Sequence, residues 1–344
     1  FDSIDNLRNA VASGLLYNNA ITNNENDLRA IWGYKYNSVY LQDSWDVNGL
    51  LSIDAGLRYD WYESDGSIRE NQNFSNRYGY SNTTDIDGLD VLLPRISFKY
   101  LATDNLTVRG GLGRFSGGSP GVWISNSYSN DGVISDSSNA FGVVNVPTSP
   151  DPTTGQYIPQ DVLNALATES PDGSVNALNP NFEIPTTLKV SLGGAYYAED
   201  LPLLGEDWLF SADVLYNKLE NASYWYDQRC QQPVSTSPDG RGVYDCSGAP
   251  ESIVVNSIDE GDSLLYAFSA SRDWETNFGE FDIFASYTHA DVNDIGYGTS
   301  STATSNYSDF AAYDRQSPRA GTSSFQTEHL FKVRFNWKKE LIPG

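Results

Sequence analysis

From Leu51 to Trp61 the chain alternates without a break: Leu51, Ile53, Ala55, Leu57, Tyr59 and Trp61 are apolar, and Ser52, Asp54, Gly56, Arg58 and Asp60 stand between them. An extended strand sends successive side chains to opposite faces, so this segment has one greasy face and one wet face. The same two-residue period returns in Leu188-Val190-Leu192, Trp208-Phe210-Ala212-Val214-Tyr216, Phe281-Ile283-Ala285-Tyr287 and Phe331-Val333-Phe335-Trp337. Lys189, Ser191, Ser211, Asp213, Asp282, Ser286, Lys332, Arg334 and Asn336 are the interleaved residues. None of these segments repeats near 3.6, so none reads as an amphipathic helix.

Nine strands are expected, near 33–47, 50–63, 94–102, 105–116, 186–198, 207–220, 264–276, 279–291 and 327–340. The links at Val47-Asn48-Gly49, Thr103-Asp104-Asn105 and Asn277-Phe278-Gly279, with a slightly longer one from Glu199 to Glu206, hold the Asn, Asp and Gly that hairpin turns need. Long polar excursions at roughly 64–92, 117–183, 221–263 and 293–325 fall between them. Every short turn then lies at one end of the strands and every long loop at the other. The fold class expected is all-β, an antiparallel up-and-down transmembrane β-barrel with short periplasmic turns and long extracellular loops.

Mean hydropathy is −0.43, and no apolar run approaches the ~18 residues of a transmembrane helix. Both would suit a soluble protein, but a barrel strand is half polar and averages hide its apolar face. Aromatic residues make up 13% of the chain, and Tyr34, Tyr36, Tyr59, Trp61, Tyr196, Trp208, Trp274 and Trp337 sit near strand ends. An interfacial aromatic girdle is expected of them, with a sandwich core as the alternative.

Charge and candidate chemistry narrow the function classes. The net charge of −24, from 45 Asp and Glu against 21 Lys and Arg, argues against a nucleic-acid partner. Asp85-Ile86-Asp87-Gly88-Leu89-Asp90 begins like a calcium loop but lacks the bidentate Glu at its twelfth position, so a solvated loop is expected there. Outer-membrane lipid and lipopolysaccharide are expected partners, the latter bridged by divalent ions to surface carboxylates. Cys230 and Cys246, the two cysteines, fall in one outer loop. A disulfide contributing about 3 kcal/mol is expected in an oxidising compartment, two free thiols being the alternative. There is no G-x-S-x-G, H-E-x-x-H or G-x-x-x-x-G-K, and His289 and His329 lie near strand ends. The glycine-rich run Arg109 to Phe115 lies inside a strand, where it lets the backbone bend or another element approach. No enzymatic activity, cofactor or metal is expected.

The chain has no Met, no signal peptide at Phe1, and a C-terminus, Glu340-Leu341-Ile342-Pro343-Gly344, that reads as the start of a turn. Nine or ten strands with two open edges would also expose unpaired backbone to lipid. Residues 1–344 are therefore expected to be part of one longer barrel domain.

Val39-Tyr40-Leu41-Gln42-Asp43-Ser44-Trp45 followed by Leu51 to Asp60, with Gly56, Leu57, Arg58 and Tyr59, resembles a hairpin of TonB-dependent outer-membrane transporters. Leu93-Pro94-Arg95-Ile96-Ser97-Phe98 and Val108-Arg109-Gly110-Gly111-Leu112-Gly113-Arg114-Phe115 resemble the next hairpin of that family, in the same order and spacing. Pro120 to Asn126, Gly298 to Tyr307 and Glu328 to Lys332 are similar to its Oar-like branch. The resemblance implies a 22-stranded barrel, somewhat under half of which is present, in the outer membrane of a Gram-negative bacterium. It also implies a receptor for a scarce small ligand or peptide, working with its own plug domain and the TonB complex.

On the residues themselves, Leu51, Ile53, Leu57, Val190, Phe210, Val214, Phe331 and Phe335 are expected to meet lipid. Asp54, Arg58, Arg109, Lys189, Asp213, Lys332 and Arg334 are expected to line the lumen. Trp123, Tyr128, Trp225 and Tyr226 in the long loops are candidates for stacking on a ligand or for packing the loops on themselves. A passive porin or adhesion barrel, and a soluble secreted binding protein, are the alternative functions.

Overall fold

A computed structural model describes residues 1–117, 120–168, 172–296, 298–309 and 312–339. Nine long strands run Gly33–Asp46, Leu51–Asp65, Asp90–Thr103, Leu106–Ser116, Thr186–Leu201, Gly205–Glu220, Asp262–Thr276, Gly279–Asp294 and His329–Lys338. Each pairs antiparallel with the next in chain order, so the sheet is a pure meander. It is an open, curved portion of a barrel, with Gly33–Asp46 and His329–Lys338 at its two ends.

The third strand begins at Asp90 rather than 94. Pro94 pairs with Leu57 on one side, and pairing on the other side starts only at Arg95 opposite Gly113. Its missing N–H thus falls at an edge, where the ladder tolerates it. Residues 340–344, including the end of the expected ninth strand and the turn after it, lie outside the described residues.

Register settles the two faces. Arg58, Arg109, Lys189, Asp213, Lys332, Arg334 and Asp54 all fall on one of them, which can be followed across the sheet through pairs such as Lys99 with Arg109, Arg109 with Gly193, Gly193 with Asp213, and Ser286 with Lys332. The opposite face carries Ile53, Leu57, Ile96, Leu112, Val190, Val214, Phe268, Ile283 and Val333. It is bounded towards the short turns by Trp45, Tyr100, Tyr196, Trp208, Trp274 and Trp337. In the sixth strand, Tyr216 lies eight positions beyond Trp208. At ~3.3 Å each and a tilt of ~40° they rise ~20 Å, close to the ~25 Å apolar band of a membrane barrel.

Tyr34 and Tyr36 do not join that girdle. Tyr36 pairs with Tyr62 on the charged face, and its hydroxyl donates to Asp60 at 2.6 Å and accepts from Arg58 at 2.6 Å. Nearness to a strand end suggests the girdle, but parity places both rings on the charged face.

The long loops fold. Val11–Ala20 pairs with Ser135–Asn145, and the helix Gln160–Thr168 packs there through Val162, Leu163 and Leu166 against Tyr17. Val175–Leu178, Ala222–Asp227 and Ser252–Ile258 form a three-stranded sheet with Ser252–Ile258 in the middle. Alternation does not announce Val175–Leu178 or Ser252–Ile258, because these strands are short and buried on both faces over most of their length.

Candidate functional site

All four long loops contribute to one hydrophobic cluster at the long-loop end of the sheet. Ile68, Ile86, Ile124, Tyr128, Leu178, Phe182, Trp225, Ile253 and Ala303 pack there onto Tyr62, Val91 and Leu93. Those last three side chains have the parity of Arg58 and Arg95, so the loops close inward over the charged face and form a cap on it.

The segments Pro120 to Asn126 and Gly298 to Tyr307, far apart in the chain, meet in this cap. Trp123 Nε1 donates to Ser300 O at 3.0 Å and Asn126 Nδ2 to Ser301 O at 2.8 Å. Trp123 and Trp225 meet edge to face with ring centroids 4.7 Å apart. Gly298 lies beneath the pair: a Cβ there would collide with Trp225 and come within 2.9 Å of Trp123.

This packing decides the fate of the four aromatic candidates. Tyr128 and Trp225 are each 4% exposed, and Trp123 is half-buried against them. Tyr128 also shares a hydrogen bond with Ser64 and donates to Asp85. These three pack the loops on themselves: Tyr128 and Trp225 are enclosed by protein, and Trp123 is partly covered against Trp225. Tyr226 is likewise buried, at 7% exposed, but it also lines a depression.

That depression has a volume of about 360 Å³ and is lined by Tyr80, Asn179, Tyr224, Tyr226, Gln228, Gln231, Asn256 and Gln316. Three phenols and five carboxamides surround it, with no charged side chain among them. Tyr226 accepts from Asn179 at 2.8 Å, Tyr80 donates to Gln228 at 3.1 Å, and Tyr224 accepts from Asn256 at 3.4 Å. Burial pushes the Tyr80 phenol well above its ordinary value and raises those of Tyr224 and Tyr226, so all three stay neutral hydrogen-bonding groups at physiological pH. Apart from Tyr226, sequence reasoning missed the lining. Scattered Asn, Gln and Tyr in polar loops leave no local signal, and only folding brings them together from all four loops.

Cys230 and Cys246 are joined in a disulfide beside this wall, with Cα atoms 4.9 Å apart. Gln316 Nε2 donates to the Cys230 carbonyl at 2.6 Å and to that of Asp227 at 2.9 Å, which ties the last loop to the disulfide loop. Arg229 grips the buried Asp227 carboxylate at 2.6 Å. Reducing the disulfide is expected to free a segment worth about 3 kcal/mol of loop closure. Limited proteolysis should then cut between residues 231 and 245 while heat-modifiable migration of the barrel stays unchanged; equal cleavage before and after reduction would contradict it.

In Asp85 to Asp90 the carboxylates accept hydrogen bonds from protein groups, Asp87 from Ser64 N at 3.0 Å and Asp90 from Tyr59 at 2.7 Å, while Ile86 is fully buried. The segment is a loop anchored by an apolar side chain.

Below the cap, a groove of about 520 Å³ runs along the charged face, lined by Gln42, Asp54, Gly56, Arg95, Gly111, Gly113, Phe115 and Lys189 among others. Arg95 donates to Gln42 at 2.8 Å, and its side chain lies over Gly56, where an added Cβ would sit 3.0 Å from Nε. Arg109 reaches Asp213, two strands away, at 2.8 Å. It crosses Gly193, where any Cβ would collide with the carboxylate. The glycines of this face are thus gaps that let long charged side chains lie flat. Gly110 points the other way, under the ring of Phe98. Of the remaining residues singled out by motif, Tyr40 shares the charged face, while Asp43, Trp45, Leu57, Tyr59 and Pro94 lie on the opposite one.

The family model described as outer membrane beta barrel domain matches residues 2–196, more than half of the chain. The protein belongs to that family, and its strands cross the outer membrane. No curated protein matches the chain. Among solved structures it is similar to the outer membrane transporter YddB from Escherichia coli, with 13% identity over 76% of this chain and 24% of that one, at a TM-score of 0.39. The hemophore receptor HasR of Serratia marcescens gives 12% identity, 88% and 39% coverage and a TM-score of 0.39. The siderophore receptor PirA from Acinetobacter baumannii gives 10%, 90% and 40%, with 0.38. The chain thus spans between 24% and 40% of the length of these structures.

Proposed function

We propose that this chain is part of a TonB-dependent receptor, in which a scarce extracellular ligand is captured under the loops and drawn inward with energy from the TonB complex. The observation that carries this reading is the cap. A passive pore leaves its lumen open, whereas here all four long loops pack as one apolar unit over the charged face. The ordered motifs from Tyr40 to Phe115, similar to those of TonB-dependent transporters, point the same way. So does the groove they line, where Arg95, Asp54 and Lys189 present charge to whatever fills the barrel.

In this reading the depression around Tyr226 receives the ligand. Neutral phenols and carboxamides suit an uncharged, hydrogen-bonding molecule, such as a glycan or a peptide backbone, better than an anionic chelate.

A liposome-swelling assay on the full-length protein separates this function from a passive barrel. Small sugars should enter no faster than into protein-free liposomes. Swelling at the rate of a general porin would replace the receptor reading with the passive one.

A further inference from the structure

The chain holds two histidines in 344 residues, and the fold sets them directly opposite each other. His289 in the eighth strand pairs with His329 at the start of the ninth, with ring centroids 5.0 Å apart. The neighbouring pair is hydrogen-bonded, Ala290 N donating to Glu328 O at 3.0 Å. The histidines therefore occupy the alternate, non-hydrogen-bonded kind of site, where facing side chains come closest.

Glu328 completes the group: one ligand atom from each of His289, Glu328 and His329 lies within 4.8 Å of the others. Glu328 Oε1 is 3.5 Å from His329 Nε2. The Tyr287 hydroxyl lies 2.9 Å from His329 Nδ1. It fixes the ring from its far side and leaves Nε2 turned to the carboxylate, the arrangement in which a metal-binding imidazole is oriented by an outer partner. His289 Nδ1 is shielded from solvent and has no hydrogen-bond partner. A satisfied structural histidine would not leave that nitrogen idle.

We propose that His289, His329 and Glu328 form a binding site for a borderline divalent transition-metal ion, Zn²⁺ in the first instance. Two imidazoles and a carboxylate make a set such ions take in preference to Ca²⁺ or Mg²⁺, and three protein ligands leave a fourth position for water. The site lies on the apolar side of the sheet above Tyr287, Ala285 and Ile283, at the outer end of the membrane-facing band. A bound ion there staples the ninth strand to the eighth at the point where the chain leaves its last long loop.

The test uses the full-length protein in detergent, stripped with EDTA. Calorimetry with Zn²⁺ should show one equivalent more in the wild type than in the His289→Phe/His329→Phe variant, and excess Mg²⁺ should not displace it. Cu²⁺ should give an electron paramagnetic resonance signal with coupling to two nitrogens, reduced to one in either single variant. Glu328→Gln should weaken Zn²⁺ binding at least about tenfold. Phenylalanine suits the surrounding aromatic surface, and heat-modifiable migration verifies that each variant is folded. Zn²⁺ stoichiometry equal in wild type and double variant, or a copper signal without nitrogen coupling, would overturn the site.

Discussion

Replacing Phe74 with alanine is expected to destabilise the extracellular cap by about 3–5 kcal/mol, the range for truncating a fully buried aromatic ring. Phe74 is 0% exposed. It sits in the short helix Gln72–Tyr78 and meets Tyr78 and Tyr80 edge to face, at centroid distances of 4.9 and 5.4 Å. Behind it lie Val175, Ala177, Tyr226 and Val254 of the three-stranded loop sheet. The helix is held from its start by Asn71, whose side chain accepts from Phe74 N at 2.9 Å. Tyr80 and Tyr226 are also walls of the depression, so losing the ring between them loosens that depression along with the cap. The strands lie outside this cluster. Hydrogen exchange should therefore quicken in residues 72–80, 222–227 and 252–258 while protection of the nine long strands is kept. Unchanged exchange in those three segments would show that the cluster does not hold the cap.

A charge on the apolar face is the second large effect. Val333 is in the middle of the ninth strand, opposite Ala285, with Phe331 and Phe335 on the same face. An arginine there is expected to cost about 2–4 kcal/mol if the position is near the bilayer midplane, because the guanidinium must be carried into hydrocarbon or drag water with it. Its neighbour Lys332 has the opposite parity and pairs with Ser286, so Lys332→Ala should assemble like the wild type. Urea titration of the full-length protein refolded into vesicles measures both. Equal stability of the two variants would argue against this assignment of the faces.

The barrel portion was legible in the chain because a strand's side-chain period is two and lipid demands one continuous apolar face. Leu51 to Trp61, Trp208 to Tyr216 and Phe331 to Trp337 each declare a strand and its two sides locally, and the turn residues between them declare the connections. Position along a strand is a weaker signal than parity, which is why nearness to a strand end points Tyr34 and Tyr36 to the girdle although register puts them on the charged face. Pro94 likewise looked like a beginning, although pairing on one side alone lets the strand run through it.

The loops were illegible for a physical reason. The strands Val175–Leu178 and Ser252–Ile258 are short and buried on both faces over most of their length, so no alternation marks them. Trp123, Tyr128 and Trp225 carry the same local signal whether they await a ligand or fill a core. Sequence alone determined that this is an antiparallel barrel of the outer membrane, which residues alternate, and which ends of its strands bear turns or loops, because those follow from neighbours along one strand. Only the tertiary structure decided that the loops close as a cap over the charged face, that Tyr128 and Trp225 are core with Trp123 packed against them, that a neutral depression forms around Tyr226, and that His289 meets His329. Each of these depends on contacts between residues tens or hundreds of positions apart, which only the paired and folded chain brings within reach.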